Sequence, residues 1–499
     1  MRLRVLVPAV GLALLLSASA TAATPSTGQW ARIGPAVPAT FEPGGFHDPW
    51  NSKVGPDGRL YVFGTFTNAG GDPTADYLAV FDPATGGWSG LGSNGAGDGA
   101  FNSDVFDITW FNGLLYAGGG FQNAGGISGA SGIAAWNGTS WTKRGSLAVP
   151  SGIVYALASS GGTLYAGGAF YDVGGDLTAD HVAAFDGFTW HGLGTDGAGG
   201  PALNGVVFAL QALPDGRVFA GGMFVDAGLS GHADHVAWWD PGTATWNPVG
   251  GVAAADGVFH DGGVMDIAVV GSKVYVAGYF TDAANDPLAD GVAVWTGAAW
   301  THLGANAAGT DGPFNGTGGA MSLAVYGSNI IVGGYFSEAG GVPAADRVAA
   351  WNGSKGLALG TTSIDEVVEG TSVAGRTLFI AGQFNTVGGL PDTQGIAAFG
   401  LPAPPSVPQS LAGAAGAKKV ALTWAAPATL NGGGPVRDYI VQYRKKGAAT
   451  WKTFADGVKT TRSAVVTGLL SGTTYDFRVL AKNDWGTGPT SAVITRKAG

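Results

Sequence analysis

Short apolar stretches separated by glycine-rich turns recur along most of the chain, and one stretch that ends in phenylalanine occurs seven times. Its copies align without gaps: LYVFGTF (60–66), LYAGGGF (115–121), LYAGGAF (164–170), VFAGGMF (218–224), VYVAGYF (274–280), IIVGGYF (330–336) and LFIAGQF (378–384). The first and last of these phenylalanines, Phe66 and Phe384, are 318 residues apart over six steps, a mean spacing of 53 residues. Apolar stretches of this length at this spacing predict seven repeat units built from β-strands.

Each unit predicts four strands that form an antiparallel meander. An apolar strand such as GVVFALQAL (205–213) precedes the recurring stretch, and a third strand such as HVAAF (181–185) follows it after a long connection. The fourth strand carries a tryptophan. Asn137-Gly138 and Asp186-Gly187 precede two of the fourth strands, and such dipeptides are typical of type I′ hairpin turns, in which both residues have positive φ.

The fourth strand carries a Trp-x-x-x-Gly motif that predicts how the repeat region begins and ends. The copies within the repeats are WSGLG (88–92), WTKRG (141–145), WHGLG (190–194), WNPVG (246–250) and WTHLG (300–304). A further copy, WARIG (30–34), precedes the first unit, whereas the seventh unit stops at Gly400 without one. We therefore predict that the segment around Trp30 supplies the missing fourth strand of the seventh unit. In the sixth unit Gly356 replaces the tryptophan, which predicts a weak fourth strand there.

The repeat resembles the kelch and galactose-oxidase-like propellers. The outer hairpin of that family, an aromatic residue followed by Asp-Pro-x-Thr and a tryptophan, is similar to FDPATGGW (81–88) and WDPGTATW (239–246). The resemblance implies an all-β fold in which residues 24–400 form a seven-bladed β-propeller closed by an N-terminal strand. It does not specify a function, because such propellers include oxidases, isomerases and pure binding proteins.

The C-terminal residues resemble a fibronectin type III domain, a β-sandwich. Residues 401–404 begin a proline-rich linker, and residues 405–499 contain the strand-like segments VALTW (420–424) and DYIVQYR (438–444), followed by GLLSGTTYDFRVLAKNDWG (468–486). The resemblance implies that Trp424 packs in the core and that Tyr475 forms a tyrosine corner. The expected role of this module is that of a spacer or a docking unit.

The N-terminus predicts export from the cell. Residues 1–23 contain two arginines, an apolar stretch of about a dozen residues and small residues at Ala18, Ala20 and Ala22, which is the pattern of a cleaved signal peptide. The chain has no cysteine, so disulfides and thiolate metal sites are excluded. We expect a protein secreted to the extracellular space, without membrane insertion after signal cleavage.

The charge is divided unequally between the two predicted modules. Residues 24–400 hold 31 Asp and Glu against 10 Lys and Arg, a net charge of −21, whereas residues 401–499 hold 4 acidic and 13 basic residues, a net charge of +9. An acidic main body argues against nucleic acid as a partner.

Candidate ligand-binding residues fall in the long connections between strands. They are Phe46, His47, Asp48 and Trp50 of FHDPW (46–50), and His260 and Asp261 of DGVFHD (256–261). An aromatic ring beside Asn, Asp or His is typical of sugar binding, because the ring stacks on the apolar face of the sugar and polar groups bind its hydroxyls. Trp50 is the preferred candidate, as a stacking platform near the mouth of a central channel. The phenylalanines of the recurring Asp-Gly-x-Phe pattern are expected to be structural: Phe101, Phe259 and Phe314.

Two sets of aspartates raise the question of chemistry. A recurring row, Asp76, Asp180, Asp234, Asp290 and Asp346, is expected to accept hydrogen bonds from backbone N–H groups of neighbouring connections. Asp107 and Asp266 occupy matching positions in first strands and are expected to line the channel. A pair of channel carboxylates acts as an acid and a base or binds calcium in some proteins, whereas the simpler interpretation is that both are solvated.

No reaction and no cofactor is predicted. Galactose oxidase requires a cysteine, which this chain lacks. A sialidase requires a cluster of three arginines, which this sequence does not predict. His232 and His235 are close in sequence but have no recognisable third ligand, so no metal site is expected.

Three hypotheses for the function therefore remain open. The first is a secreted binding or scaffold protein whose ligand is polysaccharide. The second is an extracellular carbohydrate-active enzyme, a lyase or hydrolase. The third is a cell-envelope structural protein whose partner is a cell-surface protein.

Overall fold

A computed structural model of the chain describes residues 29–34, 48–143, 152–229, 232–250, 258–259, 262–314, 319–360, 364–390, 393–401, 404–427, 436–483 and 485–499. Up to residue 400, these residues form seven four-stranded antiparallel sheets, and the C-terminal residues form two further sheets. The predicted signal peptide, residues 1–23, lies outside the described residues.

Strand β1 (Trp30–Arg32) precedes the first complete repeat unit. The strands of the first three units are β2 (Pro49–Val54), β3 (Leu60–Gly64), β4 (Leu78–Asp82) and β5 (Gly87–Gly90); β6 (Val105–Phe111), β7 (Leu114–Gly119), β8 (Ile133–Trp136) and β9 (Trp141–Thr142); and β10 (Ile153–Ser160), β11 (Thr163–Ala169), β12 (Val182–Phe185) and β13 (Trp190–Gly192). In each unit these strands pair in chain order.

The next three units repeat this arrangement. Their strands are β14 (Val207–Ala212), β15 (Val218–Gly222), β16 (Val236–Asp240) and β17 (Thr245–Pro248); β18 (Val264–Val270), β19 (Lys273–Gly278), β20 (Val292–Trp295) and β21 (Trp300–Thr301); and β22 (Ala320–Tyr326), β23 (Asn329–Gly334), β24 (Val348–Trp351) and β25 (Gly356–Ala358). In the first six units a short 3-10 turn follows the second strand: Ala69–Gly71, Ala124–Gly126, Val173–Gly175, Ala227–Leu229, Ala283–Asn285 and Ala339–Gly341.

The seventh sheet combines the two ends of the repeat region. Strands β26 (Val368–Ala374), β27 (Thr377–Gly382) and β28 (Ile396–Gly400) pair in order, and β1 pairs with β28 in the register Trp30 to Phe399. The predicted pairing of the segment around Trp30 with the last strand of the seventh unit is therefore confirmed.

The predicted fold class, a closed seven-bladed propeller, is corrected by the sheet pairing. The described strands form separate four-stranded sheets, none of which closes on itself, and strand pairing stays within each sheet. The physical reason is that the first strands of consecutive sheets lie beside one another, and β26 lies beside β2, without forming a hydrogen-bonded ladder. The repeat region is thus an all-β array of seven open sheets whose first strands surround a common cavity.

The connections between strands distinguish two rims of this array. The short turns, such as 55–59 and 83–86, lie at one end of the strands and form the short-turn rim. The longer connections, such as 65–77 and 91–104, lie at the other end and form the long-connection rim. Each first strand begins at the long-connection rim.

The Trp-x-x-x-Gly motif has a packing explanation, because its glycine lies against a tryptophan of the next sheet. A Cβ atom at Gly250 would lie 2.6 Å from carbon atoms of Trp295 and from Nε1 of Trp300, so only glycine fits. The Trp300 indole donates a hydrogen bond of 2.7 Å to the carbonyl oxygen of Val249. The last motif glycine, Gly360, lies in the same way against Trp30.

In the sixth unit, the register expected for the motif without tryptophan is confirmed. Gly356 pairs with Trp351, just as Trp300 pairs with Trp295 in the fifth sheet. A Cβ atom at the preceding motif glycine, Gly304, would lie 2.5 Å from the ring of Trp351. The fourth strand of the sixth sheet has no tryptophan. Trp351, in the third strand of that sheet, packs against the preceding motif glycine, Gly304.

Strands β29 (Gln409–Gly416) and β30 (Lys419–Ala425) begin the C-terminal sandwich. The remaining strands are β31 (Asp438–Lys445), β32 (Lys452–Thr453), β33 (Ser463–Val466), β34 (Thr474–Asn483), β35 (Gly486–Thr487) and β36 (Ile494–Lys497). One sheet has the order β29-β30-β33, and the other has the order β32-β31-β34-β35 with β36 also paired to β34. As expected, Trp424 is buried in the core between them, and the Tyr475 hydroxyl accepts a hydrogen bond of 3.1 Å from the backbone N–H of Leu470.

The sandwich contacts the short-turn rim of the repeat region. Trp485, between β34 and β35, is buried beside Tyr326 at the end of β22, with 6.3 Å between ring centroids. Asn329 at the start of β23 donates a side-chain hydrogen bond of 3.4 Å to the carbonyl oxygen of Trp485. The sandwich therefore lies at the end of the sheets opposite the long-connection rim.

Candidate ligand-binding cavity

A cavity of about 380 Å³ lies where the first strands of all seven sheets meet. Its wall is formed by residues of β2, β6, β10, β14, β18, β22 and β26. Because every sheet contributes the same strand, equivalent positions of the repeat form successive layers around the cavity.

One layer consists of bulged residues. In each first strand the pairing with the second strand skips one residue near the long-connection rim; in β2, for example, Pro49 pairs with Gly64 and Asn51 with Phe63, so that Trp50 is the bulged residue. A bulge bends the strand and redirects a side chain. We call the seven bulged residues the bulge collar: Trp50, Phe106, Tyr155, Phe208, Met265, Met321 and Glu369. All seven line the cavity and are partly exposed.

Four aromatic rings form a continuous row along one side of the collar. The ring centroids of Trp50 and Phe106 are 4.3 Å apart, those of Phe106 and Tyr155 are 4.8 Å apart, and those of Tyr155 and Phe208 are 5.3 Å apart, all edge to face. The Trp50 indole donates a hydrogen bond of 2.7 Å to Oγ1 of Thr65. Edge-to-face contact and this hydrogen bond hold the rings in fixed positions.

Glu369 is the collar residue with a carboxylate. Gln383 donates a hydrogen bond of 2.9 Å to its Oε1. Its Oε2 is buried and has no hydrogen-bond partner among the described residues. Burial and the nearby charge of Asp48 raise the pKa of Glu369 to about 7, against the opposing effect of the Gln383 hydrogen bond.

Asp107 follows the collar residue Phe106 in β6, and both of its carboxylate oxygens have partners. Its Oδ1 is 2.5 Å from Nζ of Lys53, and its Oδ2 accepts a hydrogen bond of 2.9 Å from the backbone N–H of Leu157 in the next sheet. The Lys53 ammonium also donates to the carbonyl oxygen of Ile108, at 2.8 Å. Asp107 therefore ties the first strands of three consecutive sheets together.

Asp266 performs the same bridging role without a cation. Its Oδ1 accepts from the N–H of Ile267 at 2.8 Å, and its Oδ2 accepts from the N–H of Leu323, in the next sheet, at 2.7 Å. Burial raises the pKa of Asp266 to about 7, although both backbone hydrogen bonds favour the charged form. The two channel carboxylates predicted from the sequence thus line the cavity, and the contacts of each are explained by packing between sheets.

The other predicted site residues divide into described and undescribed ones. Asp48 immediately precedes β2 at the long-connection rim, and its charge acts on Glu369. Trp50 lies within β2 rather than in the preceding connection. Four residues lie outside the described part of the chain: Phe46, His47, His260 and Asp261.

The structural interpretations of two recurring patterns are confirmed. The phenylalanines of the Asp-Gly-x-Phe pattern are all buried: Phe101, Phe259 and Phe314. Asp76 accepts a hydrogen bond of 2.7 Å from the backbone N–H of Asn68. The equivalent bond is present at Asp180, Asp234, Asp290 and Asp346. Within the described ranges, no three His, Asp or Glu side chains lie close enough together to hold a metal ion.

Sequence reasoning missed the collar as a set, and Glu369 with it. An alignment of the first strands would have shown the signal, because the dipeptides PW, VF, VY, VF, VM, AM and VE occupy the same columns. The position of Trp50 is thus aromatic in three other repeats. The segment FHDPW, taken by itself, does not show this equivalence.

Comparison with known proteins concerns the C-terminal module. A family model described as the fibronectin type III domain matches residues 405–497. Protein turtle of Drosophila melanogaster is 32% identical over 91 residues, 18% of this chain and 6% of that protein. Receptor-type tyrosine-protein phosphatase F of Danio rerio is 40% identical over 83 residues, 17% of this chain and 4% of that protein. The chain therefore spans less than a tenth of the length of these curated relatives.

Solved structures of other proteins also match part of this chain. The FN5 domain of Drosophila Lar is 26% identical with a TM-score of 0.16, covering 19% of this chain and 96% of that one. A structure of titin kinase and its flanking domains is 28% identical with a TM-score of 0.18, covering 19% of this chain and 17% of that one. Residues 405–497 are a fibronectin type III domain, as the sequence predicted. In the part of the chain that is described, no helix has the length and apolar character needed to cross a membrane.

Proposed function

We propose that this chain is a secreted binding protein that holds polysaccharide at the bulge collar, entering from the long-connection rim. The observation that carries the proposal is the row of four partly exposed aromatic rings inside one cavity, from Trp50 to Phe208.

The chemistry of the cavity wall suits a sugar. Aromatic rings bind the apolar C–H face of a pyranose, and polar groups at fixed positions bind its hydroxyls. Asn51, Lys53 and Gln211 supply such groups in the same wall. The rings are held by contacts with one another, so binding would not require them to be ordered first.

The extracellular setting is part of the same proposal. It rests on the signal-like pattern of residues 1–23 and on the fibronectin type III module, whose matches include a protein named as receptor-type. We assign that module a docking role toward a cell-surface protein. It contacts the short-turn rim through Trp485, so its described residues do not cover the collar end of the cavity.

A glycan array probed with the full chain tests the ligand class. Trp50→Ala is expected to weaken binding at least tenfold, because the ring next to Phe106 is lost. Phe188→Ala is the matched control, since Phe188 is an exposed aromatic on the short turn between β12 and β13, and it should bind like the unmodified protein.

Three results would contradict the proposal. An array without any bound glycan would contradict polysaccharide as the ligand. Binding by Trp50→Ala equal to that of the unmodified protein would contradict the bulge collar as the site. New reducing ends or unsaturated products after incubation would instead support a carbohydrate-active enzyme.

A further inference from the structure

The charged groups of the cavity wall do not balance. Its lining contains one basic side chain, Lys53, and three carboxyl groups, those of Asp107, Asp266 and Glu369. Lys53 is taken by Asp107, at 2.5 Å. Asp266 accepts hydrogen bonds from two backbone N–H groups, whereas Glu369 has one oxygen, Oε2, that is buried without a partner among the described residues.

An unpartnered buried carboxylate oxygen is costly, and Glu369, which carries it, is part of the cavity wall, so this side chain indicates what the cavity is built to receive. Asp48 lies close enough for its charge to act on Glu369, and no basic group among the causes of the Glu369 shift opposes the two acids. The group that would complete this environment is a cation with N–H donors.

The aromatic part of the collar favours the same kind of ligand. Aromatic rings attract cations through the negative charge on their faces, and the attraction is stronger where water is excluded. Trp50, Phe106 and the rings that follow share one cavity with Glu369. The net charge of −21 over residues 24–400 adds a long-range attraction for cations.

We propose that the bulge collar binds a protonated amino group, with the ammonium placed against the carboxylate of Glu369 and beside the aromatic row, so that the preferred polysaccharide is an amino sugar polymer with free amines. This inference rests on the proposed function, because it specifies which polysaccharide the same cavity selects. A neutral N-acetylated polymer offers the same ring shape without the charge and should bind more weakly.

A pair of matched oligosaccharides separates charge from shape. Calorimetric titration of the full chain at pH 7.0 with a β-1,4-linked glucosamine hexamer is expected to give at least tenfold tighter binding than titration with the N-acetylglucosamine hexamer. Glu369→Gln keeps the size of the side chain and removes its charge, so the preference should fall to less than threefold. Glu366→Gln is the matched control, because Glu366 is an exposed acid three residues away and is not part of the cavity wall.

A probe that stays protonated at the working pH removes the titration of the ligand from the measurement. Methylammonium, a primary ammonium ion with three N–H donors, should bind to the full chain at pH 8 and compete with the glucosamine hexamer, and binding should be lost in Glu369→Gln. Thermal melting of each variant verifies that it is folded, and Glu369→Asp, which retains a carboxylate, should keep part of the preference.

The outcomes distinguish this inference from the proposed function. Equal affinity for the two hexamers, unaffected by Glu369→Gln, would overturn the cation site and leave the polysaccharide function standing. Binding of methylammonium that depends on Glu369, without binding of either hexamer, would support the cation site and count against polysaccharide. Failure of all three probes to bind would overturn the cation site.

Discussion

Glu369 differs from the six other collar residues in carrying a carboxyl group, and this makes the stability of the protein depend on pH. Its pKa is raised from 4.5 to about 7 by burial and by Asp48, so the folded state holds the proton more tightly than the unfolded state. The stabilisation from this proton is complete below pH 4.5 and is lost as pH rises through 7. Tyr279 and Tyr335, which also interact electrostatically with Glu369, are neutral in this range.

Replacing Glu369 with glutamine should therefore stabilise the protein at alkaline pH. We expect Glu369→Gln to raise the free energy of unfolding by about 1–3 kcal/mol at pH 8 and to change it by less than about 0.5 kcal/mol at pH 4. Urea unfolding at both pH values measures this, with the exposed Glu366→Gln as control. An equal effect at the two pH values would mean that Glu369 does not titrate between them.

The collar shows why residue-level function was only partly predictable. Trp50 was recognisable because tryptophan is rare beside histidine and aspartate in one connection, but its direction is determined by the bulge in β2. A bulge depends on the pairing of two strands and has no signature in a single strand. Glu369 stands alone in its segment and gains a role only when the other collar residues surround it.

At the scale of elements, the packing role of the glycine in the Trp-x-x-x-Gly motif can be tested by comparing a motif glycine, Gly250, with a turn glycine, Gly58, that has a similar backbone conformation. Gly250 and Gly58 have φ of +86° and +78°, so alanine is strained at both positions, but space around Gly58 is open to 4 Å. Gly250→Ala should cost about 2–4 kcal/mol of unfolding free energy, and Gly58→Ala about 1 kcal/mol. Equal costs would mean that the two tryptophans move aside without penalty.

The sixth sheet should have the least protected fourth strand. Gly356 in β25 supplies no indole, whereas the tryptophans of β17 and β21 each donate a hydrogen bond to the preceding unit, at 2.7 Å. Backbone amides of β25 should therefore exchange hydrogen at least tenfold faster than those of β17, which carries the buried Trp246. Mass spectrometry of peptides from the two strands makes the comparison, and similar protection would show that the tryptophan does not determine edge stability.

Element positions were well predicted, and a turn conformation was not. The third strand predicted at 181–185 is β12, Val182–Phe185, because apolar alternation reports burial directly. The prediction of a type I′ turn at Asn137-Gly138 is wrong, since only Gly138 of the two residues has positive φ. Asn137 Oδ1 instead accepts hydrogen bonds from the N–H groups of Thr139 and Ser140, both at 2.9 Å, and this side-chain cap competes with the hairpin turn.

For the whole molecule, the pairing of β1 with β28 predicts that the N-terminal segment is essential for stability. Deletion of residues 24–36 removes the buried Trp30, its hydrogen bond of 2.9 Å to Leu359 and its contact with Phe399. Loss of a buried tryptophan costs about 3–5 kcal/mol, so the melting temperature should fall clearly. A synthetic peptide of residues 24–36 should restore it in part, and the same peptide with Trp30→Ala should not. Equal melting temperatures of the deletion variant and the full chain would contradict the role of β1.

The same pairing has a consequence for how the protein is made. Ribosomes add about 5–20 residues per second, so β28 follows β1 after roughly 20–70 s of synthesis. Throughout that interval the oldest part of the polypeptide has no partner, and β28, once made, presents an open edge until β1 reaches it. The seventh sheet is thus completed last of the seven repeat sheets, and a nascent chain interrupted before residue 396 would expose its N-terminal segment to proteases.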